Sequence, residues 1–329
     1  MQQQGGYHES RCFEKKYIQI AQMYYEQNLT QNEIAAKIGV NRTSVSRMLK
    51  KMRDEGIVKI TINYDLNDLS LAKQLEQKFQ LEKSIVIPVD PAQPTHVTLT
   101  ALGQAAARFL EAHLQDHDVI GFSWGSALAA VVDALEPSEQ CDDLLCLPMI
   151  GGPAGKLESR YHVNTICFKA AEKLKARSIM IDVPAIVEKE STRDDWMHSH
   201  YYDEISAYWK KISIALVGIG SIQNTGHATW RAFYGHESVQ HFKEKRIVGD
   251  LCSHFFDDAG KEIATHLSKR TLSIPLDVLH HTRYTIGVAE SKGKIPGILG
   301  ALHGRHLNVL ITTEETAKGL LAADKHKMP

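Results

Sequence analysis

No apolar run in this 329-residue chain approaches the ~18 residues that a membrane-crossing helix requires. Cysteine is scarce. The five, Cys12, Cys141, Cys146, Cys167 and Cys252, are odd in number, and no pair has CxxC spacing. That excludes a disulfide framework read from spacing and predicts reduced, mostly buried thiols in the cytosol. Histidine is plentiful at 17, but neither an HExxH nor a Cys/His quartet accompanies His198 and His200 or the adjacent His280 and His281. No metal and no cofactor are expected from such spacings. The opening MQQQGGYHES lacks both a basic start and an apolar stretch, so residues 1–13 read as a disordered lead-in rather than a secretion signal. With 43% hydrophobic and 23% charged residues, what remains is an ordinary globular chain with room for about two domains.

The net charge of -1 hides an uneven distribution. From Glu14 to Ile62 there are nine Lys/Arg against five Asp/Glu, a local charge of +4, which leaves -5 for the remainder. The cationic part coincides with a helical pattern that fits DNA. Thr30 and Glu33 form a capping box, Ile34, Ala35 and Ile38 share a helical face, and Gly39 ends the helix. Asn41 caps the next helix, in which Val45, Met48, Leu49 and Met52 make the inward stripe. Arg42, Thr43, Ser46 and Arg47 lie outward and are expected to reach base edges, with Lys50 and Lys51 on phosphates. Thr30, Gln31, Asn41 and Ser44 complete the expected DNA-facing set. An earlier helix, Lys15 to Glu26, with Ile18, Ala21 and Tyr25 inward, makes a three-helix unit. The alternating IVKITIN after Gly56 predicts a strand that would make it winged, with Lys59 near phosphate. The expected DNA-binding domain is 14–63, followed by a linker helix in 64–83.

From Ser84 the texture changes. SIVIPV, DVIGFS, LLCLPMI, ARSIMI, ISIALVGIG, YTIGVA and NVLITT are strand-like, and helical stretches separate many of them: 101–115, 127–134, 162–174, 195–210, 295–302 and 314–322. That alternation predicts an α/β domain over 84–323, with a mostly parallel Rossmann-type sheet covered on both faces. PVDPAQPTH reads as an extended loop, FFDDAGKEIATHLSKRTLSI as an antiparallel excursion, and 324–329 as a frayed tail.

Ligands in open α/β sheets sit at the carboxyl ends of strands. Ser123, Trp124, Gly125 and Ser126 stand where a strand turns into a helix, offering backbone N–H groups and a hydroxyl to an anion. Gly151 and Gly152 follow the next strand and permit close backbone approach. His162, Asn164, Asp250 and Lys294 are candidates to bond hydroxyls or a phosphate. No nucleophile–base pair and no Ser/His/Asp set is supported by spacing, so a binding pocket fits better than an active site.

Six collinear motifs then carry a likeness: LTQNEIAAKIGVNRTSVSRMLKKMRDEGIVKI, VIGFSWGSAL, PMIGGPAGKLESRYHVNT, ALVGIG, GDLCSHFFDDAG and GILGALHGRHLNVLITTEETA. The chain resembles the SorC family of bacterial sugar-responsive transcription regulators, over nearly its full length. The resemblance implies a winged or plain helix-turn-helix domain joined to an effector domain of the phosphosugar isomerase/deaminase-like fold. It implies a cytoplasmic homo-oligomer, usually a tetramer, on operator DNA, with a sugar or sugar phosphate as inducer. GFSWG, IGGPAGKLESRYHVNT and GILGALHGR are most similar to the sorbose-operon branch, which implies L-sorbose or sorbose 1-phosphate. Carried over by position, the effector site falls on Ser123 to Ser126, Gly151, Gly152, His162, Asn164, Asp250 and Lys294. Three departures from the family pattern, the last of them from its bisphosphate-binding members, weaken the case for a doubly phosphorylated ligand. Ala127 follows Ser126 where a second hydroxyl is frequent, Ser291 stands where many have glycine, and Met149 and Ile150 precede the paired glycines without an arginine. The alternative from another class is a sugar-phosphate isomerase or deaminase with an appended helical domain.

Overall fold

The computed structural model describes residues 16–58, 60, 69–90, 92–155, 157–222, 233–234 and 236–324, with the side chains of 236, 237 and 239 left aside. The chain divides into two compact units, Met1–Asn63 and Tyr64–Pro329.

In the first unit, residues 16–26 form α1, whose last turn, Gln22–Glu26, winds as a π-helix. Of the residues expected inward, Ala21 and Tyr25 pack against the core and Ile18 does not. Ile18 is 49% exposed, whereas Ile20 is fully buried. Helix α2 is Gln31–Ile38, and its capping box closes in both directions: Thr30 N donates to Glu33 Oε2 at 2.8 Å and Glu33 N to Thr30 Oγ1 at 3.3 Å. Gly39 ends it at φ 69°, a left-handed conformation that glycine enters without steric cost. Helix α3 is Arg42–Asp54, started by Asn41, whose side chain accepts from Ser44 N at 2.8 Å. Ile20, Ile34, Val45, Leu49 and Met52 form the core, closed off by half-buried Ile57 and Val58. The strand expected over IVKITIN, Lys59 included, lies mostly outside the described residues.

The second unit is built on seven strands: β1 (Lys83–Ile87), β2 (Val119–Phe122), β3 (Leu145–Pro148), β4 (Arg177–Ser178), β5 (Ile214–Gly218), β9 (Tyr284–Val288) and β10 (Val309–Thr313). Their order is β1-β10-β9-β5-β2-β3-β4, and every pairing is parallel. Alternate side chains feed two cores. Ile120, Phe122, Ile214 and Leu216 meet helices α5 (Thr95–His113), α6 (Ser126–Ala134) and α7 (Val163–Leu174) on one face. Ala215, Val217 and Leu310 meet the other face. That face is covered by α4 (Leu69–Phe79), α8 (Glu190–Met197), α9 (His200–Trp209) and α10 (His236–Glu244), then by α11 (Leu276–Leu279), α12 (Ile295–His303) and α13 (Glu314–Ala323). Helix α4 belongs to this core through Leu71, Leu75 and Phe79.

β6 (Gly220–Ser221), β7 (Gly249–Leu251) and β8 (His254–Phe256) form a small antiparallel sheet; of the stretch expected as an antiparallel excursion only Phe255 and Phe256 belong to it, and Glu262, Thr271 and Ser273 make isolated antiparallel bridges. The small sheet lies against α12 because Gly249 and Gly297 have no side chains. A Cβ on Gly297 would come within 2.4 Å of the Gly220 carbonyl oxygen, and one on Gly249 within 2.7 Å of the Gly297 Cα. Two helix boundaries differ from the sequence reading. The helix expected over 195–210 is two, because Ser199 accepts from Tyr202 N at 3.2 Å and starts a new one. The helix expected from 101 starts at Thr95, taking its first turn from the proline-rich stretch, where Pro94 stands at the N-cap.

Candidate functional site

The outer face of α3 carries Arg42, Thr43, Ser46, Arg47, Lys50 and Lys51, all exposed. Its sequence explains the orientation, since Val45, Leu49 and Met52 turn inward and leave the polar positions out. Thr30, Asn41 and Thr43 are engaged in capping: Thr43 Oγ1 donates to Asn41 Oδ1 at 2.7 Å. Ser44 is half-buried beside them, and Gln31 is half-buried at the start of α2. Lys51 lies 3.6 Å from Glu55, and its ammonium sits 5.5 Å from the Tyr17 ring centroid. The Glu55 carboxylate raises its pKa.

The second unit contains a cavity of ≈ 180 Å³ at the carboxyl ends of β2, β5 and β9. From β2 the chain steps outward to β3 and β4, then returns to β5 and steps the other way to β9 and β10. The cavity thus lies at the topological switch point, where loops diverge and leave a crevice. Ser123, Trp124, Gly125 and Ser126 line one wall. Ser123 Oγ accepts from Gly218 N at 3.2 Å, which ties the end of β2 to that of β5. Gly125 has φ 123°, and α6 begins after it with no side-chain hydrogen bond at its N-cap. Trp124 leans on Phe233, ring centroids 4.6 Å apart.

Asp250 and Lys294 line the same cavity, together with Glu290, Ser291, Ser221 and Ser253. Burial lowers the Lys294 pKa, while Glu290 and Asp250 oppose that by favouring its charge. Asp250 accepts from the Tyr234 hydroxyl at 2.9 Å, and the same hydroxyl lies 2.9 Å from Ser253 Oγ. Burial, then Asp250, pushes the Tyr234 phenol up, so it stays a donor. Cys252 and Ser253 occupy the two-residue turn between β7 and β8 with φ of 48° and 64°. Ser291 stands at φ 105°, ψ 151°. That region is essentially reserved for glycine, and holding another residue there costs about 1–3 kcal/mol. Strained residues therefore gather on the cavity wall.

Four of the expected effector residues lie away from this lining. A Cβ on Gly151 would come within 2.6 Å of the Val183 carbonyl oxygen, and one on Gly152 within 2.6 Å of the His162 ring. These glycines make room for protein, where a ligand was expected. His162 caps α7, accepting from Asn164 N at 3.1 Å, and burial lowers its pKa. The Asn164 amide bonds both backbone groups of Ile181 at 3.1 Å. Conversely, Tyr161, Ser221, Ser253 and Glu290 line the cavity without having been singled out from sequence. Ser221 follows ALVGIG and Glu290 follows YTIGVA, so the strand-end rule pointed to both. Tyr161 and Ser253 carried no such signal. Among the described residues, no group of three or more His, Cys, Asp or Glu is placed to hold a metal ion. No helix there is long and apolar enough to cross a membrane.

A helix-turn-helix unit in one chain with an α/β unit that holds its cavity at the switch point defines a ligand-responsive DNA-binding regulator. Residues 65–322 match the sugar-binding domain family model, and residues 15–71 match the Crp-like helix-turn-helix domain. The chain belongs to the SorC family of sugar-binding transcriptional regulators. It is 46% identical to the sorbitol operon regulator of Klebsiella pneumoniae over 305 residues, covering 92% of this chain and 96% of that protein. It is 27% identical to the deoxyribonucleoside regulator of Bacillus subtilis, covering 92% and 96%. The crystal structure of full-length SorC from Klebsiella pneumoniae superposes with a TM-score of 0.77 at 45% identity, covering 93% of this chain and 98% of that one. The probable sor operon regulator from Shigella flexneri gives a TM-score of 0.73 at 43% identity, covering 77% and 99%. The protein is a DNA-binding, sugar-responsive transcriptional regulator, and its relatives are regulators rather than isomerases or deaminases.

Proposed function

We propose that this regulator controls a hexose or hexitol catabolic operon, with L-sorbose or sorbose 1-phosphate as effector, as a cytoplasmic homotetramer. The single observation that carries the reading is the cavity at the β2/β5 switch point, which joins an uncapped helix start, the Lys294 ammonium and the Asp250 carboxylate. Neutral hydroxyls suit Asp250 and the serines, and one phosphate suits Lys294 and the first turn of α6. Ser123, Trp124, Gly125, Ser126, Asp250 and Lys294 form the direct contact set. Gly151, Gly152, His162 and Asn164 support it by fixing the neighbouring backbone. On DNA, Arg42, Thr43, Ser46 and Arg47 read bases while Lys50 and Lys51 meet phosphates. Thr30, Gln31, Asn41 and Ser44 hold those helices in place.

Control follows from linkage. A sugar that prefers one arrangement of the oligomer shifts operator affinity by its differential binding, typically ~1–3 kcal/mol. The Klebsiella relative, a sorbitol operon regulator, favours a second ligand, D-sorbitol. The test is a footprint upstream of genes adjoining this one, repeated with L-sorbose, sorbose 1-phosphate, D-sorbitol and fructose phosphates. The expected result is a footprint altered by one of the first three. A footprint unchanged by every sugar removes the inducer reading.

A further inference from the structure

Ser221 and Ser291 are the two cavity-lining residues whose Oγ atoms are shielded from water and have no hydrogen-bond partner among the described residues. They flank the start of α12. Gly297 approaches the Ser221 Cβ to 3.1 Å from its own would-be Cβ, and Ser291 precedes the turn Lys292–Lys294 that leads into the helix. The main chain of Ser291 is fixed, with its N–H donating to Thr316 Oγ1 at 3.0 Å. It is held in a conformation where glycine would be relaxed, as its φ of 105° shows.

A shielded hydroxyl without a partner is unfavourable, and so is a serine in a glycine conformation. The empty protein is therefore less stable for having a serine at this position. We infer that Ser291, together with Ser221, reads hydroxyl groups of the bound sugar and so sets specificity. The inference rests on the sugar-effector reading above. Serine has one side-chain torsion with three staggered positions, so its hydroxyl reaches a ligand at the wall without backbone movement. Ser84 and Thr312 also have unpartnered hydroxyls, but they lie in β1 and β10 and do not line the cavity.

The experiment uses the full-length protein as wild type, Ser291→Gly and Ser221→Ala. Each is titrated calorimetrically with L-sorbose, sorbose 1-phosphate and D-sorbitol, and melted without sugar. Ser291→Gly relieves strain and cannot fail to fold on that account. Its ligand-free midpoint is expected to rise by roughly 1–4 °C. Its affinity for the sugar that binds wild type is expected to fall about five- to tenfold, the loss of one neutral hydrogen bond. Ser221→Ala should weaken the same sugar and, by removing a shielded hydroxyl without a partner, raise the ligand-free midpoint as well. Opposite signs for stability and affinity at Ser291 mark recognition, since a structural role would lower both. Wild-type affinity in Ser291→Gly overturns the inference while leaving the sugar reading intact. No binding of any of the three sugars by wild type removes both.

Discussion

Gly39 and Gly297 stand in the two units of the protein and are needed for different reasons. Gly39 has φ 69°, and nothing lies within 4 Å of where its Cβ would be. Gly297 makes no such backbone demand, but its Cβ would press on the Gly220 carbonyl oxygen at 2.4 Å. The N-terminal unit is thus limited by chain conformation at a turn, and the α/β unit by space between backbones. The difference extends to their interiors. Among the described residues, the first rests on one cluster of six buried hydrophobic residues, whereas the second has two large clusters on either side of its sheet. Histidine content differs too, since His8 is the only histidine before residue 64.

The largest effect is expected where the smaller core is broken. Leu49→Ala should cost about 2–5 kcal/mol, a loss that so small a unit cannot absorb. Duplex binding followed by anisotropy should vanish while calorimetric sugar binding persists. Retained duplex binding would show that the first unit does not rest on this core. Gly297→Ala should cost about 1–3 kcal/mol through overpacking, read as a lower urea midpoint of the α/β unit with unchanged far-ultraviolet helicity of the first. Gly39→Ala, with open space around it, should cost about 1–2 kcal/mol from the left-handed backbone alone, confined to the first unit.

The smallest effect is pH dependence. Burial lowers the pKa of His162, His266 and His306 below the 6.5 of free histidine. The unfolded chain therefore takes up protons first as pH falls. Stability from these groups is complete above 6.5 and declines below it toward the folded values. At His306, burial together with the neighbouring His280 and His254 outweighs the Gly260 carbonyl and Glu262, which favour the charged ring. Acid titration should lower the melting midpoint of the α/β unit and spare the first. Equal loss in both units would assign the effect to something other than these histidines.

The sequence was most readable where local chemistry decides structure. Thr30, Glu33, Gly39 and Asn41 announced both helices of the turn, and the structure shows each cap made. Apolar alternation likewise exposed all seven parallel strands, although β4 keeps only two residues of the run expected from Ala176. What escaped depends on tertiary placement. In α1, Ile20 is buried in place of the expected Ile18, while Ala21 and Tyr25 pack inward as expected. The candidate ligand residues were legible where they end a strand of the switch point, as at Ser123. Gly151, Gly152, His162 and Asn164 read like a ligand loop, but their close partners are protein backbone, one another or the Asp182 carboxylate, and sequence does not show which neighbour fills the space beside a glycine.

Trp124 sits on the cavity wall against Phe233. All four tryptophans, Trp124, Trp196, Trp209 and Trp230, fall after residue 64, whereas Tyr17, Tyr24 and Tyr25 lie in the helical region ahead of it. The molecule consequently has a natural optical gauge: indole emission watches one half only, and an arriving carbohydrate should alter its colour or brightness without any attached dye.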